Sequence, residues 1–453
     1  MRLIRPILFA LVVLGIGGLG YGWYAAGSEA GPTITISSPD KFIGSAGILK
    51  VVADATTTVV AVTATLEQNG QSTVVASYSA DGAAKTQVSL SGALGKAAQP
   101  SLVNGPATLT VTASRQVFFG LRTVESSMTR DLTVRLDPPR ISVASIHHFI
   151  NLGGAEFVVL RATPEDVDAG VKVGDVEYRA YPGSAVGLAD PALHVAFFAL
   201  KHDQDVNARM SAFARDAAGN EVTTPLEHQP TNKKFLQSRI PIDQRFLDRV
   251  VPAIASHTPD LKVDTSSPEG LLKGFLTING DLRQKNGETI TALAAKSQPK
   301  MLWTGAFAQM GNSQVESRFA DRRTYFFGDQ EIDHQVHLGF DLASVQQAPV
   351  RASNAGVIVF ADFLGIYGNC VIVDHGIGVQ SLYAHLSSIG VKVGQPVNKG
   401  QELGRTGATG LAGGDHLHFT ILLQGVPVNP VEWWDAHWMQ DRVIRKIRDA
   451  AGR

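Results

Sequence analysis

At 453 residues the chain is too long to fold around one core, and roughly two to four domains are expected. Its 41 acidic and 40 basic residues nearly cancel, to a formal net charge of -1, so nothing argues for nucleic acid or another polyanion as a partner. A single cysteine, Cys370, excludes an intrachain disulfide framework, and beside Val371-Ile372-Val373 it reads as a buried apolar residue.

The chain opens with Arg2 and Arg5, followed by an apolar run from Ile7 to Ala26 that ends in Tyr21, Trp23 and Tyr24. About twenty apolar residues suffice to cross a bilayer as a helix. Cations before the run and aromatics at its far end predict a single pass with the N-terminus inside and the rest of the chain periplasmic or extracellular. Ala25-Ala26-Gly27 offers small residues for signal cleavage, but length and the aromatic flank favour a retained anchor over residues 1–27. From 32 to 138 the sequence alternates Val, Thr and Ser with apolar residues, broken at Gln68-Asn69-Gly70-Gln71, Ala80-Asp81-Gly82 and Asn104-Gly105-Pro106, which predicts a β-sandwich closed by Pro138-Pro139.

A second β module is expected over 139–231, where Ala212 to Glu221 resembles the last hairpin of immunoglobulin-like modules. Its histidines, His147, His148, His194 and His202, lack carboxylate or cysteine partners at ligand spacing and read as ordinary structural residues. Both modules are expected to space the C-terminal domain from the membrane. Residues 232–299 change to helical periodicity, with helices predicted around Asp243–Val251, from Ser267-Pro268-Glu269 onward, and over Glu288–Ala295. This connecting segment either packs on the last domain or offers a partner surface. From 300 to 453 strands return, followed by a closing helix with Val443, Ile444 and Ile447 on one side and Arg442, Arg445, Lys446 and Arg448 around them.

The chemistry concentrates in two short stretches, His337-Leu338-Gly339-Phe340-Asp341 and His416-Leu417-His418, with His385 between them in Leu382-Tyr383-Ala384-His385-Leu386. Read as strands, the period of two puts His337, Gly339 and Asp341 on one face, and likewise His416 and His418. Two imidazoles and a carboxylate are a common catalytic set for zinc, leaving a coordination position for water. No His-Glu-x-x-His arrangement supplies a glutamate base, so a histidine is the candidate for proton transfer. Gly404, Gly407 and Gly410 read as turn glycines rather than a phosphate cradle. Tyr383 is either a packed strand aromatic or an oxyanion donor.

These stretches resemble the peptidase M23 family, the lysostaphin-like (LytM-type) zinc metallopeptidases. So do Gly368-Asn369-Cys370-Val371-Ile372-Val373-Asp374-His375-Gly376, Val397-Asn398-Lys399-Gly400-Gln401 and Gly404-Arg405-Thr406-Gly407-Ala408-Thr409-Gly410. The resemblance covers about a third of the chain and implies one Zn2+ held by His337, Asp341 and His418, with His385 and His416 as the unligated catalytic pair. It also implies a β-rich domain with an open groove, and a membrane-anchored, extracytoplasmic endopeptidase cutting peptidoglycan cross-links. The rival is a non-enzymatic regulator that binds and activates a cell-wall amidase. Peptidoglycan peptide and the membrane are then the expected partners, with room for other cell-envelope proteins and none for nucleic acid. Three positions depart from the family pattern: Asp415 stands where Pro is usual, Thr420 where Glu is common, and Ser381 where Thr is usual. The expected fold is multidomain and mainly β: a transmembrane helix, two Ig-like β-sandwich modules, a short helical segment and the metallopeptidase domain.

Overall fold

The computed structural model describes residues 4–82 and 85–452; Arg2, one of the two cations read as flanking the apolar run, lies outside the described residues. The chain is mainly β and begins with an apolar helix, Ile4–Ala26. It divides into two compact units: residues up to Pro139 joined by Arg215–Val222, and Arg140–Ala214 joined by Thr223 onward.

In the first unit a five-stranded sheet, antiparallel except where Phe42–Ile43 runs parallel to Arg122–Val134, and a three-stranded antiparallel sheet share one core. Alternation sets which side chains enter it: Val62, Ala64 and Leu66 from one sheet meet Leu49, Val51 and Leu90 from the other. The hairpin of Val59–Gln68 and Gln71–Ser79 turns at Asn69-Gly70, both with positive φ (52° and 76°), the tight turn that an Asn-Gly pair favours.

The second unit is built on an antiparallel sheet running, in spatial order, Gln314–Ser317, Phe340–Ala343, Leu417–Leu423, Val379–Leu386, Asn369–Gly376, Gly356–Phe363 and Pro396–Val397. Beside it a smaller sheet joins Gln237–Ile242, Asp321–Phe327 and Gln330–His337. Three helices precede these strands. Gln244–Ser256 is capped by Asp243, which accepts from Phe246 N, and Pro268–Thr277 by Ser267, which accepts from Gly270 N. The third differs from expectation. A wide turn at Ile278–Leu282 carries the chain straight into Arg283–Ala294, so this helix starts five residues before Glu288. Leu247, Val250, Leu271 and Phe275 of these helices pack with Tyr325 and Ile366.

The sandwich around Ala155–Thr163 and Leu193–Ala199 is fused to the larger antiparallel sheet within this unit. Phe197, backed by Phe157, packs on Trp303 and Trp433, with ring centroids of Phe197 and Trp433 5.2 Å apart. Buried polar groups cross the same contact. Lys446 Nζ donates to Glu156 Oε1 and to the Phe157 carbonyl, both at 2.8 Å. The closing helix therefore buries one of its cations instead of displaying all four to solvent. Glu432 accepts from Asn151 Nδ2 at 2.7 Å and from the Ala155 amide at 2.8 Å, and a Cβ on Gly154 would stand 2.4 Å from its carboxylate.

Burial pushes the Glu432 carboxyl up to about 7 despite those two hydrogen bonds. Its folded-state pKa stands above the unfolded value of about 4.3, so the protonated form favours folding. The stability it lends is complete below about pH 4 and is lost as pH rises through about 7. Glu432→Gln, with the Asn151 amide free to turn over and accept, should gain on the parent chain by about 3 kcal/mol between pH 4.5 and 7.5. Urea unfolding of both chains across that range checks this, and a difference that does not change with pH would contradict it.

Candidate metal centre

His337, Asp341, His385, His416 and His418 meet at one cavity of about 100 Å3. Asp341 lies directly across from His418 in the pairing of Phe340–Ala343 with Leu417–Leu423. His337 arrives from elsewhere, at the end of a strand that pairs in the smaller sheet. The single strand expected over His337 to Asp341 is therefore two, broken at Leu338-Gly339 as the chain passes between sheets. Gly339 is needed for close packing. A Cβ there would stand 2.6 Å from the His418 ring and from Thr420 Oγ, so the imidazole of His418 fills the room that the glycine leaves. His385 is delivered by a bulge. Tyr383 pairs with Val371 and Leu386 with Asn369, which leaves an extra residue on the His385 strand. His385 itself adopts φ of 63°, a strained conformation of the sort that bulges use to redirect a side chain.

Three donor atoms converge. His337 Nε2 is 2.9 Å from Asp341 Oδ1 and 2.9 Å from His418 Nδ1, and the latter two are 3.0 Å apart. Their tautomers follow from the opposite ring nitrogens. His337 Nδ1 donates to the Arg318 carbonyl at 3.1 Å, which leaves Nε2 as a lone pair. Thr420 spends its hydroxyl proton on the Leu338 carbonyl, so its oxygen accepts from His418 Nε2, and His418 Nδ1 is a lone pair as well. Two lone pairs and a carboxylate oxygen facing one another this closely repel unless a cation stands among them. Tetrahedral zinc with bonds of about 2.0–2.1 Å spaces its donors about 3.3 Å apart, so the set fits that ion after a small outward relaxation.

The surroundings favour donors without protons. Burial brings the His418 imidazole down to about 4, so it stays neutral. Arg323 Nη2 donates to Asp341 Oδ2 at 3.0 Å and to Ser317 Oγ at 2.8 Å, fixing the oxygen that faces away from the donor triangle. His385 and His416 are held alike. His385 Nδ1 donates to the Thr409 carbonyl at 2.8 Å and His416 Nδ1 to the Gly414 carbonyl at 2.9 Å, so each keeps Nε2 free. Their rings lie 4.9 Å apart, and His416 Nε2 is 3.5 Å from Asp341 Oδ1. Burial, then the neighbouring imidazoles, holds His385 well below the ordinary histidine range, so it stays neutral.

The cavity is narrower than an open groove. Its five histidine and aspartate residues are each no more than 9% exposed. The rim includes Leu411, Gly413 and Ile366, and the helical segment packs against it: Ile366 shares a core with Leu247 and Phe275, and Arg249 donates to the Ala412 carbonyl at 2.8 Å. Other positions fall outside. His334 is exposed and pairs with Glu331, and His375 is sealed between the Ala355 carbonyl and Ser381 Oγ. Tyr383 is buried on the far side, its hydroxyl bonded to Ser381 and to the Ser353 amide, which leaves the packed strand aromatic of its two readings. Asp415 accepts from Thr406 and the Gln347 amide, bracing a loop rather than reaching the donors. No motif marks Arg323, Arg283 or Tyr367, which also line the cavity. The period of two in Arg323-Thr324-Tyr325 was the available signal, since it puts Arg323 and Tyr325 on one face, and both reach the cavity.

Comparison with known proteins places this geometry. Residues 335–430 match the model for peptidase family M23. DD-carboxypeptidase/endopeptidase Mpg of Neisseria meningitidis is 46% identical over 97 residues, 21% of this chain and 22% of Mpg. Peptidoglycan DD-endopeptidase ShyA of Vibrio cholerae is 30% identical over 161 residues, 36% of this chain and 34% of ShyA. Murein hydrolase activator EnvC of Escherichia coli is 38% identical over 107 residues, 24% of this chain and 26% of EnvC. The similarity thus spans about a fifth to a third of the length of these relatives. The C-terminal region that supplies all five of these cavity side chains is a peptidase family M23 domain.

Proposed function

We propose that the chain is a zinc endopeptidase that hydrolyses peptide cross-links of peptidoglycan outside the cytoplasm, tethered to the membrane by its N-terminal helix. The observation that carries this reading is the convergence of three proton-free donor atoms beside two further imidazoles whose Nε2 atoms are free. His337, Asp341 and His418 would hold the metal. Zinc bound there supplies Lewis acidity toward a peptide carbonyl and makes a water ionisable near neutral pH. His385 and His416 handle protons: with Nδ1 of each pinned to a carbonyl, Nε2 can take a proton from the attacking water and return it to the leaving amine. Arg323 positions Asp341 and takes no part in proton transfer. ShyA is named a peptidoglycan DD-endopeptidase and Mpg a DD-carboxypeptidase/endopeptidase, which supports the substrate class.

The similarity to the activator EnvC supports a second reading, a regulator of a cell-wall amidase. The complete donor set favours hydrolysis, because a regulator has no need of it. A digest of cross-linked muropeptides read by mass spectrometry decides, since a regulator acting alone leaves every cross-link intact.

Two further outcomes are expected. The purified chain should hold one equivalent of zinc by elemental analysis, lose cleavage on chelation, and fail to retain the metal as His337→Ala or Asp341→Ala. His416→Ala should keep its zinc while turnover falls by about 10²- to 10⁴-fold. Full activity in that variant would remove His416 from the mechanism.

A further inference from the structure

The hairpin of Gly105–Val117 and Arg122–Val134 ends in Phe118-Phe119-Gly120-Leu121, and two large apolar side chains there face outward: Phe119 is 94% exposed and Leu121 74%. The turn does not need them. Phe118 and Phe119 both take positive φ, 47° and 57°, a conformation that suits glycine or asparagine and strains a bulky residue. Folding alone gives no reason to place aromatic residues at strained, water-facing positions.

The tip meets the end of the N-terminal helix. Phe118 packs with Ala26, Val117 and Val124, and Arg122 stacks on the Trp23 ring with its guanidinium 4.2 Å from the centroid. Arg122 also donates to the Trp23 carbonyl. Two glycines of the first unit make room for this contact. A Cβ on Gly22 would stand 2.9 Å from Phe118, and one on Gly27 1.9 Å from the Arg122 guanidinium. Gly22 lies four residues before the end of the helix, about 6 Å along its axis, so the tip reaches the level of Tyr21, Trp23 and Tyr24. Aromatic side chains at such a helix end mark the boundary between lipid and water. The apolar stretch Ile7–Tyr21, exposed throughout, continues away from that level.

We propose that the hairpin tip is a second membrane contact: Phe119 and Leu121 enter the headgroup–acyl boundary of the bilayer that the helix spans, while Phe118 and Arg122 lock the helix end to the first sandwich. The partner is a lipid surface, because the exposed groups are apolar and sit level with the aromatic belt of an apolar helix. This rests on the reading of that helix as a retained anchor and is independent of the zinc chemistry. The docked Ala26 and the cleared Gly22 and Gly27 favour retention, since cleavage beside Ala26 would discard the contact.

The test uses the full chain in phosphatidylcholine–phosphatidylglycerol vesicles. An environment-sensitive fluorophore is attached at Phe119→Cys and, as reference, at exposed Thr129→Cys, farther along the strand Arg122–Val134 that leaves the tip; the native Cys370 is buried. The Phe119 label should emit to the blue and be quenched by lipid brominated high on the acyl chain, roughly threefold more than the Thr129 label. Equal, water-like emission from both labels on a chain that still floats with the vesicles would overturn the proposal while leaving the anchor intact. A blue shift without quenching would overturn it too, because the tip would then be covered by a second copy. Mass spectrometry showing a mature N-terminus near Ala26, with the chain no longer floating, would remove the anchor and the proposal together.

Discussion

The site depends on one cross-strand pair. Asp341 and His418 face each other in adjacent antiparallel strands, which fixes the separation of a carboxylate oxygen and an imidazole nitrogen without help from any loop. Every other feature of the centre adjusts to that pair. His337 is brought in by a chain that changes sheets at Leu338-Gly339, and Gly339 gives the His418 ring its place. Thr420 and Arg318 then fix the two ring tautomers, so that the lone pairs point inward and both protons point outward. Three like-natured electron pairs held together in this way are poorly stable alone. The cost of the arrangement is offset only when a cation enters.

The second pair of imidazoles, His385 and His416, is built on the same economy of backbone. His416 lies two residues from His418, where an isolated bridge to Gly407 holds the chain, and His385 reaches it through a bulge with strained φ. Each ring spends one nitrogen on a carbonyl, of Thr409 or Gly414, so its orientation is set before any substrate arrives. Arg323 ties the carboxylate to Ser317 in the neighbouring strand and makes the smaller sheet part of the centre, although its strand lies outside the family match.

Much of this was legible because the chemistry uses uncommon residues at fixed spacing. His337, Asp341, His385, His416 and His418 announce themselves, as do the caps Asp243 and Ser267 and the turn at Asn69-Gly70. What escaped was decided by contacts far apart in sequence. Asn279-Gly280 resembles a helix breaker, yet Asn279 is fully buried and donates to Asp333, so the chain widens into a π turn and runs on. Lys446 sits among surface cations, and only Glu156, 290 residues away, draws it inward. The narrowness of the cavity was hidden for the same reason. The helices that pack against its rim belong to a segment with no motif of its own, and their apolar faces gave no hint of what they would cover.

The fusion of the second sandwich to the M23 domain bears on how the protein can be handled. Trp303 and Trp433 rest on Phe197, and Lys446 finds its counter-charge only in Glu156. Trimming the chain to its M23 domain would strip the cover from an aromatic wall and strand a buried ammonium group. Such a fragment would be sticky and poorly soluble for reasons unrelated to the donor cluster. The smallest well-behaved piece of this protein that carries the cluster should start near Arg140.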